Sequence, residues 1–577
     1  MEKHTAALNN GEERSALWIV KRTAIGNEQQ SELLVEMDHQ TFTWGRSANR
    51  SRKTERWVEG LWILGLLLAA LLLFGINLGS PPLLDWGEGA VALAAREIGK
   101  APLDVWQWLH PKLASKPYLE EPPLLYWLIA GAYKIGGFKE WTTRLPGAIL
   151  SALSVPLLYG IGREIFPSRQ SAIFSSLIYL TFLPVVCWGR LASVDGAALC
   201  FVILTIWCVL RSRRDLRWSL GIGMGLGLIG LSKGIAIAVL LLGIALVFLA
   251  WDTPRLLTSV YWWIGLLLGS GPGLAWCVVW LLSNPEMLSK GLVNSSLGRR
   301  WVPEVALPSL FWYYLIQILK FSVPWLLFWP YGLRLAWENR IWSWAKLLLI
   351  WSGVYVLAIL VLVNQLPLYI LPVYPALALA GGAYLAEVWH GPSRKSYPRP
   401  WSIGLVAIAL GAIAGSIVFA ILPNLDHSLS VIFASVALTM SVAAVLLARR
   451  NLQFILILFW GIYISLLLFM TSPYWIWELK AAYPVTEIAG LLNQDTPQHQ
   501  TIYASLSLPS KRPSLQFYSD RQVFPVSDSE LKKHWERDKQ PYLLLDTKTR
   551  ERLKLAPAIE LAKTDDSSWV LITKKHS

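Results

Sequence analysis

Long apolar stretches broken by short polar ones run along the chain from Trp57 to residue 472. The stretches near 57–79, 143–163, 169–187, 195–210, 217–232, 234–251, 259–282, 309–330, 342–363, 367–387, 402–422, 428–448 and 453–472 approach or exceed the length needed to cross about 30 Å of hydrocarbon. The pattern predicts an all-α polytopic membrane protein with about thirteen transmembrane helices. Its flanks are polar. Residues 1–56 carry mixed charge and no apolar run, so they read as a cytoplasmic tail rather than a cleavable signal. From about Tyr483 the pattern turns soluble, with VTEIAGLLNQ and SELKKHWERD helix-like and TIYASL, SLQFY, PYLLLD and SSWVLITKK strand-like. The expected division is a tail over 1–56, a membrane domain over 57–472 whose first outer loop is 80–142, and a small outward-facing α/β domain over 473–577.

An odd number of crossings puts the termini on opposite sides, and basic loops decide which side is which. Arg163 with Arg169, the run Arg211, Arg213, Arg214 and Arg217, Arg334 with Arg340, Arg394 to Arg399, and Arg449 with Arg450 all thread to one side, the expected cytoplasmic face. The long loop 80–142 and the C-terminal stretch fall on the other. The net charge of +14 is spread over these short loops, which argues against a nucleic-acid partner. All four cysteines lie in or beside apolar runs, so no disulfide framework is expected outside the membrane.

Two isolated acidic residues, Asp85 and Asp195, thread to the same outer boundary. Carboxylates there are costly unless paired or open to a water-filled cavity. Each also has a purely structural reading. Asp85 and Glu88 have capping-box spacing ahead of the helix-favouring GAVALAAREI, expected to lie at the outer surface, and Asp195 follows Ser193 at a helix start. In KPYLEEPPLLYW, Pro122 and Pro123 open an apolar helix and fix Tyr118, Glu120 and Glu121 in the preceding turn. Those two glutamates are candidates for a divalent cation, but no compact ligand spacing accompanies them, so metal stays unassigned. Lys233, alone between two spans, and Arg299 with Arg300 in an outer loop supply cations suited to a phosphate or, alternatively, interface anchors.

The ordered segments LLDWGEGAVALAAREI, YLEEPPLLYW, RLPGAIL, RLASVDGAAL, LSKGI and NQLPLYILPVYPALAL resemble bacterial GT-C glycosyltransferases related to the protein O-mannosyltransferases and the lipid A aminoarabinose (ArnT-like) transferases. The resemblance runs through most of residues 57–390. It implies a multi-pass enzyme of the bacterial inner membrane that takes sugar from a polyprenyl-phosphate donor at the periplasmic or exterior face, with inversion. The acceptor is a lipid, a glycan or a protein. By the same resemblance Asp85 activates or orients the acceptor, Asp195 is the second acidic position, Tyr118 and Glu120 line the cavity, Arg299 and Lys233 meet the donor phosphate, and Tyr369 lies near the lipid phosphate. The chain departs from the aminoarabinose branch at Glu121 and Gln365, where that branch has lysines, at Asn294, where it has a histidine, and at Glu88 and Gly89, where it has an Arg-Tyr pair.

The reaction so implied is a single displacement at the anomeric carbon, with polyprenyl phosphate leaving. A carrier or flippase of lipid-linked sugars would also need a charged cavity, yet the chain lacks the paired halves such transporters show. A silent scaffold with a partner-binding C-terminal domain is the third reading.

Overall fold

The computed structural model describes residues 48–100, 108, 112–113, 116–117, 122–283, 307–360, 367–391, 397–421, 427–479, 485–497, 500–506, 512–556, 558–564 and 569–574. At Asp85 and Trp86 it describes the backbone alone.

Each of the thirteen apolar segments forms a helix or a bent helix pair. The bundle comprises α1 (Ala48–Gly75), α4 (Glu140–Ile165), α5 and α6 (Arg169–Leu180, Leu183–Arg190), α7 (Val194–Ser212), α8 (Trp218–Lys233), α9 (Ile235–Asp252) and α10 (Val260–Ser283). It continues with α11 and α12 (Leu307–Phe321, Trp329–Glu338), α13 (Ser343–Ile359), a 3-10 turn Pro367–Val373 leading into α14 (Tyr374–His390), α15 (Arg399–Ile421), α16 (His427–Ala448) and α17 (Gln453–Thr471). Nine of these, among the described residues, are long and apolar enough to cross a membrane alone; counting each bent pair as one span gives up to eleven. All thirteen expected segments are thus helical, and nine to eleven of them, among the described residues, meet the crossing length and composition by themselves or as bent pairs. α8 has 16 residues and α13 has 17. At about 1.5 Å per residue these helices reach roughly 24–26 Å, short of the hydrocarbon thickness. Most residues of both are buried or half-buried against neighbouring helices. α5 and α6 bend by 59°, and the α11–α12 pair by 108°.

Leu268, Ile403, Leu410 and Leu438 are exposed on the outside of the bundle, as lipid-facing side chains should be. The two ends of the helices differ in charge. At one end Glu59 takes Arg163 and Arg169, Glu164 takes Arg211 and Arg214, and Asp252 takes Arg213 and Lys346. The other end carries the starts of α4 and α7 and the end of α8.

Two short helices of the first loop, α2 (Ala90–Lys100) and α3 (Leu124–Gly136), cover that second end. α2 lies over that end and is covered there: Ala90 to Arg96 and Ile98 are all buried. Its alanines allow close packing against α3 and against the C-terminal domain, so burial by neighbours replaces burial in the interface.

The C-terminal domain contains α18 (Val485–Asp495), β3 (Thr501–Ser505), α19 (Pro513–Ser519), β4 (Gln522–Val526), α20 (Asp528–Arg537), β5 (Leu543–Asp546), α21 (Thr547–Leu553), β6 (Ala558–Lys563) and β7 (Trp569–Lys574). β1 and β2 (Lys112–Leu113, Lys116–Pro117) form a separate antiparallel pair in the first loop. The five-stranded sheet has order β4-β3-β5-β7-β6, parallel across β4-β3-β5 and antiparallel beyond. SLQFY is helical, not a strand. Pro513 opens α19 and Asp520, in the left-handed region, closes it. Leu515 enters the domain's own core while Phe517 enters the core of the first loop, so the alternation of large side chains reflects two buried sides of one short helix.

Candidate functional site

The site is built around one buried ion pair. Arg144, in the second turn of α4, is fully buried, and so is Glu88. The guanidinium donates from Nε to Glu88 Oε1 at 2.8 Å and from Nη2 to Glu88 Oε2 at 2.6 Å. Its remaining N–H groups donate to the carbonyls of Leu78, Pro81 and Pro82 at 2.7–3.0 Å. All five donors of the fork are thus used. The carboxylate accepts two further bonds, from the Leu84 N–H at 3.1 Å and the Ala192 N–H at 2.9 Å.

Glu88 therefore belongs to the frame rather than to the cavity lining, which corrects its place among the cavity candidates. It reaches back to the Leu84 N–H and is held by a cation that local sequence could not supply. The consequence is positional. Asp85 begins the π-helical turn Asp85–Gly89, and Ala192 lies three residues before Asp195. One side chain ties together the two backbone segments that carry the predicted acidic pair.

Asp195 sits in the first turn of α7, where Ser193 accepts the Asp195 N–H at 3.2 Å as the cap. With capping done by Ser193, the Asp195 carboxylate is left to pair with the Lys233 ammonium, a contact between two mostly buried side chains. A cation ends α8 and an anion starts α7, so each charge also sits at the helix end whose dipole favours it. Gly234, at φ +93°, turns the chain from α8 straight into α9 and aims Lys233 at this corner. α7 can approach closely because Gly196 has no side chain: a Cβ there would lie 2.4 Å from the Trp188 carbonyl.

Tyr369, in the 3-10 turn before α14, brings its ring centroid to 6.0 Å from the Lys233 ammonium. Asp195, Lys233 and Tyr369 are thus gathered at one end of the bundle, opposite the arginine-rich end. Tyr118, Glu120, Glu121, Asn294 and Arg299 lie outside the described residues, as does Gln365. Among the described residues no group of three or more His, Cys, Asp or Glu side chains is placed to hold a metal ion.

Two arginines escaped the sequence reading of roles. Arg144 lies in RLPGAIL and Arg190 in RLASVDGAAL, and a charged residue within an apolar run was itself the available signal. Arg190 is buried and donates to the carbonyls of Leu73, Phe74 and Ile76, closing the C-terminal end of α1. The ring of Trp475 lies between the two guanidinium groups, 5.6 Å from that of Arg144 and 4.8 Å from that of Arg190.

Fold and site define a multi-pass membrane protein with a charged corner at one membrane face. Residues 120–280 match the family described as dolichyl-phosphate-mannose-protein mannosyltransferase. The chain is 27% identical over 362 residues to the undecaprenyl phosphate-alpha-4-amino-4-deoxy-L-arabinose arabinosyl transferase 1 of Pseudomonas fluorescens, covering 61% of this chain and 65% of that protein. A second transferase of that name from the same species is 27% identical over 407 residues, covering 68% of this chain and 72% of the relative. The crystal structure of ArnT from Cupriavidus metallidurans bound to undecaprenyl phosphate superposes with a TM-score of 0.71 at 19% identity, over 89% of this chain and 98% of that one. At that identity the likeness shows the fold, which is ArnT-like. By sequence the chain is thus similar to these transferases, and by fold to ArnT.

Proposed function

We propose that the protein is an inverting glycosyltransferase that moves a sugar from a polyprenyl-phosphate donor to an acceptor at the membrane face bearing Asp85, Asp195 and Lys233. The observation that carries the reading is the Glu88 carboxylate, which binds the Asp85 and Asp195 segments into one frame beside a cation. The similarity to undecaprenyl-phosphate arabinosyl transferases supplies the donor class. The arginine-rich opposite end supports a cytoplasmic assignment for that end, with the site and the C-terminal domain on the periplasmic or exterior side.

In this reading an acceptor oxygen attacks the anomeric carbon, the bond from that carbon to the donor phosphate oxygen breaks, and polyprenyl phosphate departs. If the acceptor is a hydroxyl, its proton passes to the Asp85 carboxylate. Lys233 stabilises the charge that grows on the departing phosphate, with Arg299 as its partner and Tyr369 beside the phosphate. Asp195 holds Lys233 in place before the donor arrives. Tyr118 joins the residues that meet the donor phosphate, with Glu120, Glu121 and Asn294 as cavity candidates.

The test is transfer from a panel of radiolabelled polyprenyl-phosphate sugars into envelope extracts by purified protein, with Asp85→Asn and Asp195→Asn alongside. Transfer by the wild type that collapses in both variants is the expected result and names the donor. Labelled lipid that instead crosses the bilayer of proteoliposomes without transfer would overturn it.

A further inference from the structure

We infer that α19 of the C-terminal domain is a positioning element for the reaction centre, holding the outer side of the Asp85 turn while Glu88 holds its inner side. The inference rests on the transfer reaction proposed above for what is positioned, and on three contacts for how.

The first is a close backbone approach. Gly89 ends the π-helical turn that Asp85 begins, and a Cβ added there would lie 2.7 Å from Ser514 N and 2.9 Å from Ser514 Cα. Backbone faces backbone, so no side-chain rotation could relieve a larger residue. The second contact is a hydrogen bond: the Leu83 N–H, two residues before Asp85, donates to Tyr518 Oη at 2.9 Å. The third is an anchor. Arg96 of α2, buried, donates to the Phe517 carbonyl at 2.6 Å and pairs with Asp520, which Lys100 also meets at 2.9 Å.

The Phe517 ring belongs to a buried cluster that also includes residues of the second acidic segment. It shares that cluster with Leu83 and Val91 on the Asp85 side and with Ala192, Val194 and Ala197 around Asp195. A seven-residue helix from the far end of the chain therefore packs on the Asp85 turn and on α2, and joins the buried cluster that reaches the Asp195 segment. The membrane domain alone leaves the outer face of the Asp85 turn without this support. A reacting carboxylate must be held within a fraction of an ångström, and losing one neighbour of its turn is enough to lower the rate.

Gly89→Ala and Tyr518→Phe in the full chain test this, with Lys539→Ala, exposed elsewhere in the same domain, as control. Three readouts apply: turnover and KM for the polyprenyl-phosphate sugar, the melting temperature, and hydrogen exchange over residues 83–90. The expected result is a kcat reduced at least about fivefold for Tyr518→Phe and further for Gly89→Ala, with donor KM within twofold of the wild type. Exchange over 83–90 should rise in both variants and stay unchanged in Lys539→Ala. Wild-type kcat per folded molecule in both variants, or a loss that follows only the folded fraction, overturns the positioning role. If the wild type transfers no sugar, the proposed reaction falls, and exchange protection still decides whether α19 holds the turn: unchanged exchange over 83–90 refutes it.

Discussion

Replacing Glu88 by glutamine keeps the size of the side chain and removes its charge. The carboxylate accepts four hydrogen bonds, two on each oxygen. An amide offers one oxygen, and its NH2 group would face two donors. Arg144 would meanwhile stay fully buried without its anion. Removing one partner of a buried pair costs about 3–5 kcal/mol. Arg144 keeps the carbonyls of Leu78, Pro81 and Pro82, which soften the loss, so the lower end, about 3 kcal/mol, is expected. Equilibrium unfolding in detergent of Glu88→Met, Arg144→Met and the double variant isolates the pair. The double variant should be less destabilised than the sum of the singles by at least about 2 kcal/mol, although its backbone donors and acceptors remain unpaired. Activity should fall with the frame. Once the Asp85 and Asp195 segments lose their shared tether, transfer by Glu88→Gln should drop about 100-fold, because small misplacements are costly to an oriented displacement. Additive single variants, or Glu88→Gln with wild-type transfer, would refute the reasoning.

Other perturbations follow from the same geometry. Lys233→Met should weaken retention of polyprenyl phosphate and slow transfer by about 100-fold, measured by donor binding and turnover, since it removes the cation that lies 6.0 Å from the Tyr369 ring centroid. Gly234→Ala meets no atom within 4 Å but must hold φ +93°, so it should cost about 1 kcal/mol in unfolding and slow transfer by displacing Lys233. Arg190→Met strips three carbonyls at the end of α1 of their donor and should destabilise by about 3 kcal/mol, read in the same unfolding assay. In the C-terminal domain, Glu530 is held below the usual glutamate range by accepting the Ser527 N–H and hydroxyl. A lowered folded-state pKa means its support of α20 is present above the ordinary glutamate pKa and is lost as pH falls through the lowered one. Hydrogen exchange over residues 528–537, corrected for intrinsic rate, should therefore rise below about pH 4 in the wild type and lose this dependence in Glu530→Gln.

Hydropathy alone determined the membrane class, because burying apolar side chains in lipid is a property of local composition. It located all thirteen helical segments, of which α8 and α13, at 16 and 17 residues, are shorter than the hydrocarbon thickness. Lys233 and Asp195 were legible as charges at helix ends, but their pairing was not, since it depends on α7 and α8 meeting at one corner. Glu88 was legible as a carboxylate with a local capping role. Its actual partner, Arg144, lies 56 positions away, and spacing within one helix carries no information about such a partner. SLQFY shows the same limit in secondary structure: its period of large residues suited a strand, while two separate cores, one on each side, made it a helix. Sequence determines what each segment would bury and which charges it carries. Which charges meet, and which element holds a turn in place, is decided by long-range packing, because only there do residues distant in the chain acquire a common environment.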